Sequence, residues 1–171
     1  LVDVNDPTQG LMYDGRIAED FKLNTGTFVN VGTIRNKVLI QGNRLIQDVC
    51  ITGSNLNAIG FLIFPKLDAC AEYAALSLTE NSAEQILKHP KVQLWFRQFL
   101  MTFNKDATGS SNRASMLYLM TELPRLDAGE VTDKGNLNQG NIIKRRAEKI
   151  EELYQKQTEN SLIIRIPTLN N

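Results

Sequence analysis

Histidine is almost missing from this 171-residue chain: His89 stands alone, and only two cysteines, Cys50 and Cys70, accompany it. Metal sites need clusters of ligands, so a single histidine beside Pro90 reads as a structural or surface residue, and no metal site is expected. The separation of Cys50 from Cys70 fits no zinc motif, and both lie in or beside apolar stretches. They read as buried free thiols in a reducing compartment, the cytoplasm. Net charge is lacking too, with 19 basic residues against 19 acidic ones. Nothing electrostatic therefore points to a nucleic acid or an anionic membrane as partner. No apolar run approaches the roughly 20 residues of a membrane-spanning helix, and no basic stretch leads into an apolar one at the start. Phosphate-binding GxxxxGK[ST], dinucleotide-binding GxGxxG and the GxSxG nucleophile elbow are all absent. The chain begins at Leu1 and not at Met, which is expected of a piece of a longer protein.

What is present is an ordinary globular composition, 42% hydrophobic and 22% charged. A chain of this length buries roughly two thirds of its unfolded surface and needs no disulfide or metal to fold. Residues 1 to 13 carry Asp, Asn, Pro and Gly at turn-like spacing and read as a linker. FKLNTGTFVNV holds two β-prone runs around Asn24-Thr25-Gly26, a hairpin pattern. Ile34, Val38 and Leu39 then recur at helical spacing until Gly42. DVCITG and GFLIFP are β-branched or aromatic runs bounded by Gly and Pro, which predicts paired strands in a sheet.

The alanine-rich stretch 69–78 predicts a helix. A second helix is expected after Asn81 or Ser82 with Ala83, Ile86 and Leu87 on one face, and a third after Pro90 with Val92, Trp95, Phe96 and Phe99 forming a core stripe. ASMLYLMTELP reads as another strand, and IIKRRAEKIEELYQK as a final helix. The terminal segment TENSLIIRIPTLNN ends in a short apolar run suited to a docking strand. This order describes a small α+β domain: an N-terminal β-hairpin and a short central sheet of about three strands packed with helices.

Polar features with chemical potential are few. The loop ATGSSNR offers Ser110, Ser111 and Arg113, a set able to hold phosphate, although loops of this composition are commonly only loops. Gly15-Arg16 precedes Asp20 at the entrance to the hairpin, where the planar fork of an arginine suits paired hydroxyls or a phosphate. Asp133-Lys134-Gly135 lies in the longest turn-rich passage, which would carry an ammonium at a loop tip. Taken one at a time, each fits solvated surface.

Taken together, the two passages resemble one family. GRIAEDFKLNTGTFV is similar to the domain-junction segment of adenylate-forming enzymes, the acyl- and aryl-CoA synthetases and their relatives. The commoner form of that segment has lysine where Leu23 stands and arginine where Phe28 stands, and the form here is closer to the long-chain and carboxylate-reductase-like branches. DAGEVTDKGNLNQGNIIKRRAEKIEELY resembles the tail of feruloyl-CoA synthase-type proteins, with Asp133 before Lys134 in place of the usual glycine. The resemblance runs from about Asp3 to Tyr154. It implies residues 1–14 as a linker from a missing N-terminal adenylation domain, 15–157 as a C-terminal lid domain and 158–171 as a terminal tail.

By that resemblance Arg16 would hold the ribose hydroxyls of the nucleotide, Asp20 would be the hinge of a domain rotation, and Lys134 would be the catalytic lysine of adenylation. Gly26 would face coenzyme A. ATP with Mg2+, CoA and a carboxylic acid, an aromatic one such as ferulic, would be substrates of the whole enzyme, none held by this domain alone. Its partner would be the N-terminal adenylation domain of the same chain. Two other readings stay open. One is a non-catalytic interaction module docking through Trp95 and Phe96. The other is the corresponding part of a long-chain acyl-CoA synthetase or a carboxylate reductase.

Overall fold

The computed structural model describes residues 19–167. The 1–14 linker and Arg16 lie outside them. A two-stranded hairpin comes first, β1 (Phe21–Lys22) and β2 (Phe28–Val29), followed by helix α1 (Val31–Gln41). Asn30 starts that helix by accepting a hydrogen bond from Thr33 N–H at 2.8 Å, and Gly42 ends it. Strands β3 (Ile46–Thr52) and β4 (Ile59–Pro65) pair antiparallel, as their apolar runs predict. Three helices then cross over, α2 (Leu67–Ala74), α3 (Ala83–Lys88) and α4 (Pro90–Phe103), and deliver strand β5 (Ala114–Leu119) parallel to β4. After the turn-rich passage come α5 (Gln139–Arg145), α6 (Ala147–Tyr154) and strand β6 (Ile163–Arg165), antiparallel to β5. The α+β class is as read from the sequence. The sheet has four strands in the order β3-β4-β5-β6, one more than counted there. The added strand is the apolar run of the terminal segment, which extends the sheet beyond β5.

Every residue of β4 is buried, the mark of a central strand covered on both faces. Its alternate side chains identify the two covers. Phe61 meets Phe103 of α4 edge-on, with ring centroids 5.1 Å apart. Gly60, on the opposite face, leaves room for α6: a Cβ added there would come within 3.0 Å of Leu153 and the Tyr154 hydroxyl. Helices α1 and α4 therefore share one face, and α6 covers the other. Arg35 joins α1 to β3 through a two-point ion pair with Asp48, both contacts at 2.8 Å.

Two local differences from the sequence reading have clear causes. The helix expected over 69–78 stops at Ala74 because Ala75 adopts φ 58°, and the next amides fold back to Glu72 and Ala71. The last long helix is two, parted at Arg146, whose backbone leaves helical geometry (φ -106°, ψ 27°). Cys50 and Cys70 are free and buried, and His89 caps α4 by accepting from Lys91 N–H at 3.3 Å.

Candidate functional site

The two polar passages singled out in the sequence fold into the same kind of turn. In the hairpin, Gly26 N–H donates to Leu23 C=O and Leu23 N–H donates to Thr27 C=O, each at 2.9 Å. In the lysine passage, Gly135 N–H donates to Thr132 C=O and Thr132 N–H donates to Asn136 C=O, each at 2.8 Å. Both are three-residue turns closed by a left-handed residue. Gly26 has φ 80° and Gly135 φ 78°, values that glycine adopts without strain. A Cβ at either glycine would meet nothing within 4 Å, so backbone conformation and not crowding selects glycine there. The open space over Gly26 also leaves its backbone approachable.

The hairpin is fastened to the β3–β4 connection. Asn24 N–H donates to Leu56 C=O and Asn55 N–H donates to Lys22 C=O, both at 2.9 Å, and the Asn24 side chain bonds that of Asn57. Leu23 is buried against Gly53, whose φ of 135° carries the chain out of β3. Ser110 Oγ reaches Thr27 Oγ1 at 3.3 Å, which attaches the ATGSSNR loop to the same hairpin. Arg113 turns back within that loop, donating to Ala107 C=O at 3.5 Å. Asp20 is half-buried and accepts the Val31 N–H at 2.9 Å, so its carboxylate sits at the positive end of α1.

Lys134 is exposed at the apex of its turn, in no ion pair among the described residues. The stem below it is an antiparallel bridge between Val131 and Leu137. Beneath the bridge lies Glu130, only 2% exposed, and Arg146 grips its carboxylate at two points, 2.9 and 3.0 Å. Those hydrogen bonds hold the Glu130 carboxyl below the ordinary glutamate value. On the other side of the stem, Gln139 opens α5 and accepts Ile51 N–H at 3.0 Å. The lysine passage thus attaches to β3 at Ile51, and the hairpin attaches to the connection that follows the strand at Asn55 and Leu56, which brings both turns toward the C-terminal end of β3. No hydrogen bond joins the two turns directly among the described residues.

Sequence reasoning missed Glu130, Gln139 and Arg146. One signal existed: Ile142, Arg146, Ile150 and Leu153 recur at helical spacing, and an arginine on such a stripe requires a carboxylate. The aromatic stripe of α4 is packed, with Trp95 stacked on Phe99 at 5.8 Å and Phe96 fully buried. A concavity of about 450 Å3, bounded by α4, the 107–113 loop and Ile166, includes no residue of either turn.

The mixed sheet thus carries a tethered glycine hairpin and a braced lysine turn near one end. Residues 21–158 match the AMP-binding enzyme C-terminal domain, and the chain belongs to that family. Among solved structures it is similar to the A domain of the carboxylic acid reductase from Segniliparus rugosus, in complex with AMP and a co-purified carboxylic acid. That match has TM-score 0.61 and 18% identity over 84% of this chain and 21% of the other. The A-PCP didomain of the same reductase with AMP gives TM-score 0.62 and 18% identity, over 85% and 18% of the two chains. The adenylation domain of a carboxylate reductase from Mycobacterium chelonae gives 0.61 and 19%, over 83% and 20%. The chain thus spans about a fifth of the length of these structures. No curated protein matches it. No helix among the described residues is long and apolar enough to cross a membrane.

Proposed function

We propose that this chain is the mobile lid of an ATP-dependent acid–thiol ligase, most like the aryl-CoA synthetases that use acids such as ferulic. In the first half-reaction a carboxylate oxygen attacks the α-phosphorus of ATP, the bond to the bridging oxygen breaks, and pyrophosphate leaves with its electrons. In the second, the sulfur of coenzyme A attacks the acyl carbon and AMP leaves, the thiol proton passing to solvent. Mg2+ would arrive with the nucleotide. The observation that carries this reading is the exposed Lys134 ammonium on a glycine-closed turn whose stem is braced. The first step brings two anions together, and a cation delivered from outside the nucleotide site relieves their repulsion. The second step needs no such cation, so a lid that swings can withdraw Lys134 and present the open backbone at Gly26 to pantetheine. Arg16 would hold the ribose and Asp20 would lie at the pivot.

A second reading keeps the acyl-adenylate and changes the acceptor: a carrier-bound thiol followed by reduction. The likeness to reductase adenylation domains favours it. Both readings are tested in the full-length enzyme. Lys134→Ala is expected to slow acid-dependent ATP–pyrophosphate exchange by about 100-fold or more, the scale of losing one electrostatic contact to the transition state. Thiol transfer from supplied acyl-adenylate is expected to stay near normal. Equal loss in both half-reactions would remove Lys134 from its role. Free coenzyme A as acceptor supports the ligase, and acceptance only by a carrier domain supports the reductase.

A further inference from the structure

We infer that Glu130 and Arg146 act as positioning residues for Lys134, a clamp that fixes where the ammonium is delivered. The inference rests on the reading of Lys134 given above. Glu130 belongs to the root of the lysine turn in two ways. Its carbonyl accepts Asn138 N–H at 2.9 Å, just outside the Val131–Leu137 bridge, so it takes part in closing the stem. Its carboxylate accepts Arg125 N–H at 2.9 Å as well as the two guanidinium contacts, which ties the approach to the turn. The residue before it, Gly129, has φ 69°, and a Cβ there would sit 2.8 Å from Asn141 Nδ2, so the chain runs close under α5.

Arg146 carries the tie into the core. Its guanidinium lies 5.0 Å from the ring centroid of Phe64 on the central strand and donates to Glu122 and Leu123 carbonyls at 3.2 Å. The line of contact runs from β4 through Arg146 and Glu130 to the stem, with Gln139 anchoring the far root on β3. This is the most buried of the described ion pairs, with side chains 12% and 3% exposed. Buried pairs are poor sources of net stability, because desolvation offsets their attraction, and their better-attested use is to fix one arrangement among several. A lysine that must meet two anions at one point needs such fixing, since a misplacement of about 1 Å can cost around 100-fold in rate.

The experiment is a double-mutant cycle in the full-length enzyme, read by ATP–pyrophosphate exchange, with hydrogen exchange at residues 131–137 followed in parallel. Glu130→Gln is expected to lower the adenylation kcat by about 10- to 100-fold. KM for ATP should change little, and amide exchange in the turn should quicken while β3 and β4 stay protected. In a Lys134→Ala background the same change is expected to have no further effect on rate. Arg146→Lys, which keeps charge and loses the two-point fork, should reproduce the pattern should Glu130→Gln not fold. An equal rate loss in both backgrounds, or an equal loss in thiol transfer, overturns the clamp and leaves Lys134 standing. A silent Lys134→Ala overturns the lysine reading first, and the positioning role with it.

Discussion

At the scale of single residues, the clearest case is the pair of cysteines. Their sequence setting predicts buried thiols, and burial raises the pKa of both, Cys70 to about 12 and Cys50 further still. The thiolate is the reactive form, so at neutral pH neither side chain has an appreciable population of nucleophile, and neither has access to a reagent. A disulfide reagent added to the native domain at pH 8 is expected to label neither thiol faster than the domain unfolds, and to label both promptly in denaturant. Rapid labelling of one native thiol would place it in an open, fluctuating segment. His89 is legible in the same way. A lone histidine before proline reads as structural, and it serves as the cap of α4. Glu130 is the opposite case. A glutamate in a turn-rich passage reads as solvated, and only a partner 16 residues away on a helix gives it meaning.

At the scale of elements, hairpin, crossover helices and strands follow from hydrophobic period and turn chemistry, because those signals are local. The boundaries that differ are set by contacts that are not local. Helix α2 ends early at Ala75, where a Schellman-type pair of hydrogen bonds closes over a left-handed alanine. Alanine there meets a Cβ clash that glycine lacks, costing about 1–2 kcal/mol. The greater freedom of glycine in the unfolded chain returns about 0.5–1 kcal/mol of that. Ala75→Gly is therefore expected to stabilise the domain by roughly 0.5–1 kcal/mol, seen as a shift in the urea midpoint at unchanged slope. A loss of stability would mean that Ala75 packs in a way its backbone does not reveal. The break at Arg146 was illegible for a related reason. IIKRRAEKIEELYQK has the period of one helix, and the guanidinium's tie to a distant loop accompanies the departure at its centre. The strand β6 was legible as an apolar run, while its place at the sheet edge comes from non-local pairing with β5, next to hydrogen bonds that join Tyr118, Glu152 and Asn160.

For the whole molecule, the same buried ion pair that bears on Lys134 also sets a pH dependence. Glu130 is ionised in the native state and held there by hydrogen bonds from Arg146, so its folded pKa lies below the unfolded value near 4.5. A depressed carboxylate pKa contributes stability that is fully present above the unfolded value. That stability is lost as pH falls from there through the folded value, at about 1.4 kcal/mol for each unit of separation. Among the described residues three other carboxylates have a lowered pKa: Glu84 and Asp127 in exposed ion pairs, where solvent and salt screen them, and Glu152, held down chiefly by the Asn160 side chain. Replacing Glu130 by Gln removes one titration and leaves those others in place. Thermal unfolding of wild type and Glu130→Gln should thus differ by a constant amount from pH 7 down to about 5, with the wild type more stable. Below about 4.5 the gap should shrink, because the protonated glutamic acid then resembles the glutamine. A gap that stays constant to pH 3 would mean that the clamp keeps its proton balance on unfolding. Glu130 would then contribute through shape alone, and the link between its charge and the placement of Lys134 would fail.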